Sequence, residues 1–348
     1  MRRSRVALVR CSTYDPNDVY EALRRGVTML GGADRFVSPG ERILLKPNVL
    51  AGETPERAVT THPSVLSGCV RWLRECGAEV RFGDSPILDS PARGVRRSGL
   101  LEAGIRSGAQ FVEFSAGGSL PNPHGESVSS FPVARAVLAC DGMINLPKMK
   151  AHQLTRITGA VKNTFGCIPG RRKALYHVQF LDVFDFSQLL VDLSSLLRPR
   201  LHILDGVVAM EGNGPRGGDP RPMHLLVLSE DPVAVDATFS RLVGLDPEFV
   251  PTTVIGQQRG LGRFRRGAIE YVGEPLESFI DEGFKVVRNP VLPHAAIAHC
   301  STIKNAVLPR PVIDARRCVC CGTCIEACPV PDKALRFTQD GSHPPQYD

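Results

Sequence analysis

Residues 1 to about 300 alternate between short apolar runs and longer amphipathic stretches, and this alternation restricts the fold more than any other feature of the chain. The pattern is typical of α/β domains, in which strands and helices follow one another. It predicts strands at residues 5–9, 42–45, 79–82, 142–146, 201–204 and 223–228. It predicts helices at residues 17–30, 63–76, 186–197 and 234–242, several of them opening at a Ser, Asp, Asn or His-Pro step that suits a helix start. We therefore expect a large α/β domain with a parallel or mixed sheet.

A cysteine run near the C-terminus predicts a metal centre. Cys318, Cys321, Cys324 and Cys328, followed by Pro329, have the spacing C-x2-C-x2-C-x3-C-P, with which bacterial ferredoxins hold a 4Fe-4S cluster. A zinc site or a redox dithiol is the alternative. Zinc sites usually consist of two separated C-x2-C pairs or include histidines, which favours the iron-sulfur cluster here.

The cysteine run leaves the number of clusters open, because no second copy of it follows before Asp348. In two-cluster ferredoxins the fourth cysteine of such a run binds the other cluster. Either Cys328 completes one 4Fe-4S cluster, or another residue does, with Cys300 and Cys167 as candidates. If the chain is truncated, a second cluster is expected. Cys320 has the wrong spacing for a ligand and is expected beside the cluster.

The stretch 289–311 contains four prolines and separates the cysteine run from the rest of the chain. We expect an α/β domain at residues 1–300, a linker at 301–311 and a small ferredoxin-like α+β module at 312–348.

Composition excludes some classes of function. The formal charge is +6, and an aromatic content of 6% with one tryptophan offers no run of base-stacking residues, so we expect no nucleic-acid partner. No stretch of about eighteen apolar residues and no signal-peptide core occurs, so we expect no membrane span. Eleven cysteines without an export signal indicate a reducing compartment. The sequence therefore predicts a cytoplasmic protein.

Several predicted strands end at polar residues followed or preceded by proline or glycine. In open α/β sheets, ligands bind outside the carboxyl ends of the strands, so these groups are expected to converge on one crevice. Proline, aspartate and glycine also end strands that have no ligand, which is the alternative explanation. The residues concerned are Lys46 and Asn48, Asp84, Lys148 and Lys150, and Asp205.

Lysine is scarce in this chain, which uses arginine for most of its positive charge. Five of the eight lysines fall in or near these predicted loops: Lys46, Lys148, Lys150, Lys162 and Lys173. A compact ammonium suits a phosphate, a carboxylate or proton transfer, whereas solvated surface lysines have no such role. The distribution favours an anion-binding crevice.

The densest polar stretch, 145–177, predicts a loop that surrounds an anionic ligand. We expect Lys148, His152, Lys162 and His177 to be catalytic residues, although a lone histidine is more often structural. We expect Lys46, Asn48, Asp84, Lys150, Asn163 and Asp205 to bind the ligand or cofactor. A second loop, 205–219, has five glycines and is expected to form a mobile lid or the far wall of the same crevice. Asp231 is expected to cap a helix.

The sequence resembles the domain-of-unknown-function family 362 of bacterial and archaeal iron-sulfur proteins. The resemblance rests on LLKPN at 44–48, THP at 61–63, GDSP at 83–86, INLPKMKAH at 144–152, TGAVKNTFGCIPG at 158–170, LDG at 204–206 and DPVAVDA at 231–237. Members commonly end in two ferredoxin-like cluster motifs, of which this chain matches the first. The resemblance implies an iron-sulfur protein and no particular reaction.

Two functional hypotheses follow. In the first, the chain is an iron-sulfur oxidoreductase that binds an anionic small molecule in the crevice and exchanges electrons through the cluster with a donor or acceptor protein. In the second, it is a non-catalytic electron-transfer or cluster-delivery protein whose lysines dock a protein partner. An isomerase is a third hypothesis if the cluster is structural. Neither a flavin nor a nicotinamide fingerprint is present.

Overall fold

A large mixed sheet organises the computed structural model, which describes residues 3–86, 90–114, 117–170 and 172–291, and short segments at 313, 315–316, 318–326, 335–337 and 343–347. The strands are β1 Ser4–Arg10, β2 Arg42–Pro47, β3 Glu79–Phe82, β4 Gln110–Phe111, β5 Gly117–Pro121, β6 Ser130–Ala134, β7 Gly142–Leu146, β8 Lys148–His152, β9 Arg156–Thr158, β10 Leu201–Glu211, β11 Asp219–Ser229, β12 Ile269–Gly273, β13 Leu335–Arg336 and β14 Gln346–Tyr347.

The α-helices are α1 Pro16–Met29, α2 Pro63–Glu75, α3 Pro91–Arg97, α4 Leu100–Arg106, α5 Arg135–Leu138, α6 Ala160–Asn163, α7 Arg172–Gln179, α8 Val183–Leu197, α9 Pro232–Leu242, α10 Pro251–Gln258 and α11 Thr323–Glu326. Short 3-10 helices occupy Ala33–Arg35, Pro55–Arg57, Thr164–Cys167, Pro247–Phe249, Arg266–Ala268 and Leu276–Phe279. No helix in the described part of the chain is long and apolar enough to cross a bilayer.

The main sheet follows the order β12-β1-β11-β10-β7-β2-β3-β4, with β8 beside β10 and β9 beside β8. The neighbours β7, β2, β3 and β4 are parallel, whereas β11 runs antiparallel to both β1 and β10. Both β7 and β8 lie parallel to β10, and the backbone oxygen of Pro147 between them accepts a hydrogen bond from Asp205 N at 2.9 Å. The predicted mixed α/β class is confirmed.

Helices pack on both faces of the sheet because apolar side chains of its central strands point both ways. On β1, Ala7 and Val9 pack with α1 and α2, and Val6 and Leu8 belong to the apolar cluster that includes α8 and α9. The prolines at the starts of α1, α2 and α9 occupy a position where a missing N–H costs nothing. Asp231 caps α9 by accepting a hydrogen bond from Ala234 N at 2.9 Å, as predicted.

Two predicted loops are wrong in their secondary structure. The stretch 145–177 is not a loop, because it contains β8, β9, α6 and most of α7. The stretch 205–219 is not one continuous loop, because β10 continues to Glu211 and only residues 212–218 connect it to β11. In β8 the residues Lys148 and Lys150 alternate with the core residues Met149 and Ala151, so its polar face is buried rather than solvated.

The C-terminal module is described only in part. Thr323–Glu326 form α11, and β13 pairs antiparallel with β14. The predicted linker, 301–311, and Cys300 and Cys328 lie outside the described residues.

Candidate functional site

A small cleft opens where parallel strands β2 and β3 end, beside the 3-10 helix Thr164–Cys167 and α7. It encloses about 60 Å³, which is room for a few water molecules or a small anion. We call it the lysine cleft. Its polar lining includes Lys46, Asn48, Asp84, Ser85, Lys150, Thr158, Lys162, Asn163, Lys173 and His177. The lining thus contains four lysines and one carboxylate.

Lys46 and Asp84 form the one ion pair among these lining residues. Lys46 Nζ lies 2.8 Å from Asp84 Oδ1, and both side chains are almost fully buried. The backbone N–H groups of Val49 and Ser85 also donate to the Asp84 carboxylate, at 2.7 and 2.8 Å. A Cβ at Gly166 would lie 2.1 Å from Asp84 Oδ1, so this close approach requires glycine. The Asp84 carboxylate is therefore already paired with the Lys46 ammonium and hydrogen-bonded by the backbone.

Lys150 reaches the cleft from β8 and is fully buried. Its Nζ donates to Asn48 Oδ1 and to the Val59 carbonyl oxygen, both at 2.7 Å. Asn48 in turn donates from Nδ2 to Asn163 Oδ1 at 2.8 Å. Burial, and then the nearby charges of Lys162 and Lys148, lower the pKa of Lys150 well below its usual value.

Lys162 and Lys173 add two further cations. Lys162 Nζ lies 5.9 Å from the centroid of the Phe186 ring and has no hydrogen-bond partner among the described residues. Lys173 is 2% exposed and donates to the backbone oxygen of Ser85. Burial lowers the pKa of each lysine to about 8. Both amines therefore exchange protons readily near neutral pH.

The two candidate histidines have different surroundings. His152 Nδ1 accepts hydrogen bonds from the backbone N–H groups of Leu154 and Thr155, at 3.1 and 3.2 Å, so this nitrogen stabilises the turn after β8. His177 lines the cleft and packs against Phe165 and Phe186. Burial, followed by the Lys162 charge, lowers the pKa of both rings, for His177 to about 4. Both imidazoles are neutral at pH 7.

Lys148 and Asp205 lie together in a separate buried cluster outside the cleft lining. Lys148 Nζ donates to Asp205 Oδ2 at 2.9 Å and to the Tyr14 hydroxyl at 2.7 Å, and that hydroxyl donates to Asp205 Oδ1 at 2.8 Å. The His62 N–H also donates to Asp205, and the His62 ring stacks on Tyr14 with 3.5 Å between centroids. We call Lys148, Asp205 and Tyr14 the Tyr14 triad. Within it, the charges of Lys148 and Asp205 balance each other.

Four polar residues of these clusters were missed as candidates: Tyr14, His62, Ser85 and Thr158. Tyr14 follows β1 in a segment with no motif around it, so the sequence carries no signal for its contact with a residue 191 positions away. Thr158 falls inside the polar stretch 145–177 and lines the lysine cleft, and its buried Oγ1 has no hydrogen-bond partner among the described residues. An orphan buried hydroxyl of this kind is rare and is often satisfied by a ligand or water.

The cysteine run is described at Cys318, Cys320, Cys321 and Cys324, all of them free thiols. Gly322 has a φ of +77°, the left-handed conformation that tight cysteine spacing requires. Among the described residues, no three potential ligands are gathered into a metal site. The thiol donor set suits iron or zinc, and the four-cysteine cluster stays a prediction. Cys167 is buried in the apolar core beside Met143, and burial raises the pKa of its thiol to about 12.

Comparison with known proteins places the chain in a family. The family model described as "Domain of unknown function (DUF362)" matches residues 43–241, more than half of the chain. A thylakoid-associated protein of Synechocystis sp. is 36% identical over 278 residues, which cover 79% of this chain and 86% of that protein. The chain belongs to the DUF362 family.

Two solved structures are similar to parts of this DUF362 protein. The lactate racemase apoprotein from Thermoanaerobacterium thermosaccharolyticum has a TM-score of 0.42 and 9% identity, covering 66% of this chain and 55% of that one. A protein from Thermotoga maritima has a TM-score of 0.38 and 13% identity, covering 70% and 59%. This chain spans less than two thirds of the length of either.

The DUF362 match includes both buried lysine clusters but not every residue in them. All the lysines of the cleft, and Lys148 and Asp205, fall within residues 43–241, whereas Tyr14 and the cysteine run fall outside. The family assignment therefore applies to the cleft-bearing domain, and the cysteine run requires its own experimental test.

Proposed function

We propose that this protein is an iron-sulfur redox enzyme that acts on a small anionic molecule bound in the lysine cleft. The observation that carries the proposal is the unbalanced charge of the lining: Lys46, Lys150, Lys162 and Lys173 face a single carboxylate, already paired with Lys46. Buried charges without partners are costly, and an anionic ligand supplies the missing negative charge. A volume of about 60 Å³ suits a phosphate or a short carboxylate.

Burial of the lysines favours an enzyme over a carrier that docks a protein. A docking patch needs exposed cations that meet an opposing surface. Of the five lysines predicted to act together, Lys46, Lys148, Lys150 and Lys173 are at most 2% exposed, so none of these four is available to a protein surface. Their placement in and next to a cleft fits a small ligand.

In this proposal the C-terminal segment 312–348 is a ferredoxin-like module, joined to the domain 1–300 by the linker 301–311. Cys318, Cys321, Cys324 and Cys328 would hold one 4Fe-4S cluster, which supplies one-electron transfer when bound. The ligand's electrons would pass to or from a protein partner in the cytoplasm.

Calorimetric titration of the full chain with inorganic phosphate, acetate and oxalate tests the cleft. We expect saturable binding of at least one anion in wild type, weakened at least tenfold in the double variant Lys162→Gln/Lys173→Gln. Lys285→Gln is the matched control, since Lys285 is exposed and pairs with Glu211. Equal binding by wild type and the double variant, or binding of none of the anions, would refute the cleft as an anion site.

Iron and acid-labile sulfide analysis of anaerobically purified protein tests the cluster independently. About four irons and four sulfides per chain, with a reducible cubane signal in electron paramagnetic resonance, are expected. Zinc in place of iron, or no metal, would refute the redox role and leave the anion site standing.

A further inference from the structure

The Lys150 amine makes two hydrogen bonds, and both run outward from its nitrogen. Asn48 Oδ1 and the Val59 carbonyl oxygen each accept one N–H, and the side chain also borders the lysine cleft. A neutral amine has two N–H donors and one lone pair, whereas an ammonium has three donors and no acceptor. The two protein acceptors therefore leave one position on the Lys150 nitrogen, which is the lone pair in a neutral amine and a third N–H in an ammonium.

The charges around Lys150 favour the neutral form. No carboxylate forms an ion pair with Lys150 among the described residues, since Asp84 pairs with Lys46 and Asp205 with Lys148. Lys46, Lys148 and Lys162 all lie near enough to disfavour a further positive charge at Lys150. Bound anion in the cleft would reverse this preference.

A chain of buried amides fixes the orientation of Asn48, and through it the amine. Asn48 Nδ2 donates to Asn163 Oδ1 at 2.8 Å, and Asn163 Nδ2 donates to Asn145 Oδ1 at 2.7 Å. Asn145 Nδ2 lies 3.0 Å from His202 Nδ1, which must therefore accept. Every donor in this amide relay points away from Lys150, so Asn48 presents its carbonyl oxygen, and not its NH₂ group, to the amine.

The far end of the relay is locked as well. His202 is fully buried, and burial lowers its pKa to about 3, so its ring is neutral. With Nδ1 accepting from Asn145, Nε2 carries the proton, and Nε2 has no partner among the described residues. Reversing the relay would turn the side-chain oxygens of Asn145 and Asn163 toward the backbone oxygens of Ala160 and Lys46, to which their Nδ2 groups now donate at 2.9 and 3.2 Å. The orientation at Lys150 is thus determined by residues that do not touch it.

We propose that Lys150 is the general base of the lysine cleft, a neutral amine that forms no ion pair among the described residues and whose two N–H groups are oriented by Asn48 and the Val59 carbonyl oxygen. This inference rests on the proposed anion site and adds a proton-transfer role to it. The lone pair takes a proton from the bound anion, a bond from Lys150 nitrogen to that proton forms, and the electron pair of the broken bond stays on the ligand. Lys162 and Lys173 then face the added negative charge, and the new ammonium of Lys150 balances it. Asn48, Asn163, Asn145 and His202 are positioning residues.

Nuclear magnetic resonance of the full chain labelled with ¹³Cε-lysine tests the inference, because eight lysines give a spectrum that can be assigned. The Lys150 resonance is the one missing from Lys150→Met and, independently of that variant's folding, from Lys150→Arg. We expect Lys150 to be neutral at pH 7 without ligand and to become charged when inorganic phosphate is added. A Lys150 resonance that titrates near pH 10, like free lysine, would overturn the proposal.

Two variants separate the contributions to the Lys150 midpoint. Lys162→Gln removes a nearby charge and is expected to raise the midpoint of Lys150, whereas Lys285→Gln is expected to leave it unchanged. Asn163→Leu interrupts the amide relay without touching Lys150 and is expected to move the Lys150 midpoint while leaving that of Lys173 in place. An unchanged Lys150 midpoint in Asn163→Leu would refute the positioning role.

The calorimetric titration distinguishes failure of this inference from failure of the anion site. Phosphate binding by a protein whose Lys150 is already charged at pH 7 before phosphate is added would refute the general base and retain the anion site. Absence of anion binding would remove the site on which the inference rests.

Discussion

Two buried lysines on one strand, Lys148 and Lys150, have opposite electrostatic surroundings. Both lie on the same face of β8, two residues apart, and both are essentially unexposed. Lys148 has a carboxylate and a phenol in the Tyr14 triad, whereas Lys150 has two neutral oxygens and a cleft beside it. Burial alone does not indicate function, because a paired charge stabilises the fold and an unbalanced group next to a cleft is available to a ligand.

The largest effect is expected from removing the charge that balances Lys148. Asp205→Asn keeps the shape of the side chain but leaves the Lys148 ammonium without a counter-charge, so we expect a loss of about 3 kcal/mol in the free energy of unfolding. Urea denaturation followed by circular dichroism measures it. The double variant Lys148→Met/Asp205→Asn is expected to recover part of the loss. A loss below about 1 kcal/mol in Asp205→Asn would show that the ion pair between Lys148 and Asp205 does not stabilise the fold.

On the cleft side, Lys162→Gln is expected to weaken phosphate binding and spare the fold. One hydrogen bond to a charged group contributes about 1.5–3 kcal/mol, which corresponds to roughly a ten- to hundredfold loss of affinity. Because Lys162 has no hydrogen-bond partner in the described structure and its pKa is lowered by burial, its removal is expected to raise stability at pH 7. Calorimetry measures the affinity for phosphate, and urea denaturation measures the free energy of unfolding. A Lys162→Gln variant that is strongly destabilised but binds phosphate like wild type would show that Lys162 serves the fold and not the ligand.

The pH dependence of stability should follow the titration of Lys162 and Lys173. The folded pKa of Lys162 and Lys173, about 8, lies below the unfolded value of about 10.4, so the unfolded chain binds more protons in this window. These groups therefore make the free energy of unfolding rise as the pH increases from 8 to about 10, and their destabilising contribution is complete below pH 8.

Comparison of wild type with Lys162→Gln isolates this contribution. The variant is expected to be more stable than wild type at pH 7, and the difference is expected to disappear near pH 10. Urea denaturation at both pH values measures it. A difference that is constant from pH 7 to pH 10 would contradict a lowered pKa at Lys162.

The smallest effect is expected at Thr158. Its hydroxyl has no partner in the described structure, so Thr158→Val should change the free energy of unfolding by less than about 0.5 kcal/mol while weakening phosphate binding roughly fivefold. Thr155→Val is the matched control, because Thr155 Oγ1 donates to the Ile157 carbonyl oxygen at 2.9 Å. The control should lose about 1 kcal/mol of stability with unchanged binding. If Thr158→Val instead loses stability like the control, its hydroxyl serves the fold.

Sequence reasoning predicted the sheet and the composition of the cleft, but not how the charges pair. The strands 79–82 and 142–146 were predicted at their observed bounds, because short alternating or apolar segments between turn residues are typical of strands. The segment Lys148–His152 was predicted as part of a loop around an anionic ligand, because the stretch 145–177 is rich in cations, hydroxyls, glycines and histidines. The alternation of its lysines with Met149 and Ala151 nevertheless has the period of a strand.

The pairing could not be predicted, since it depends on contacts distant in sequence. The strand-end argument named Lys46, Asn48, Asp84 and Lys150, and these four residues do line one cleft. The same cleft is lined by four residues of the polar stretch 145–177: Lys162, Asn163, Lys173 and His177. Lys148 and Asp205 instead bind each other and Tyr14, 134 and 191 residues away from it. Which of several similar lysines is neutralised by protein carboxylates is a property of the tertiary structure.

The most direct test of the account is anomalous diffraction from crystals of the full chain grown in sodium bromide. Bromide reports anion sites without knowledge of the natural ligand, and the unbalanced lysines predict an anomalous peak in the lysine cleft within contact distance of Lys162 and Lys173. The Tyr14 triad is expected to carry none, because its charges are satisfied. Bromide bound only at surface arginines, with the cleft empty, would contradict the account.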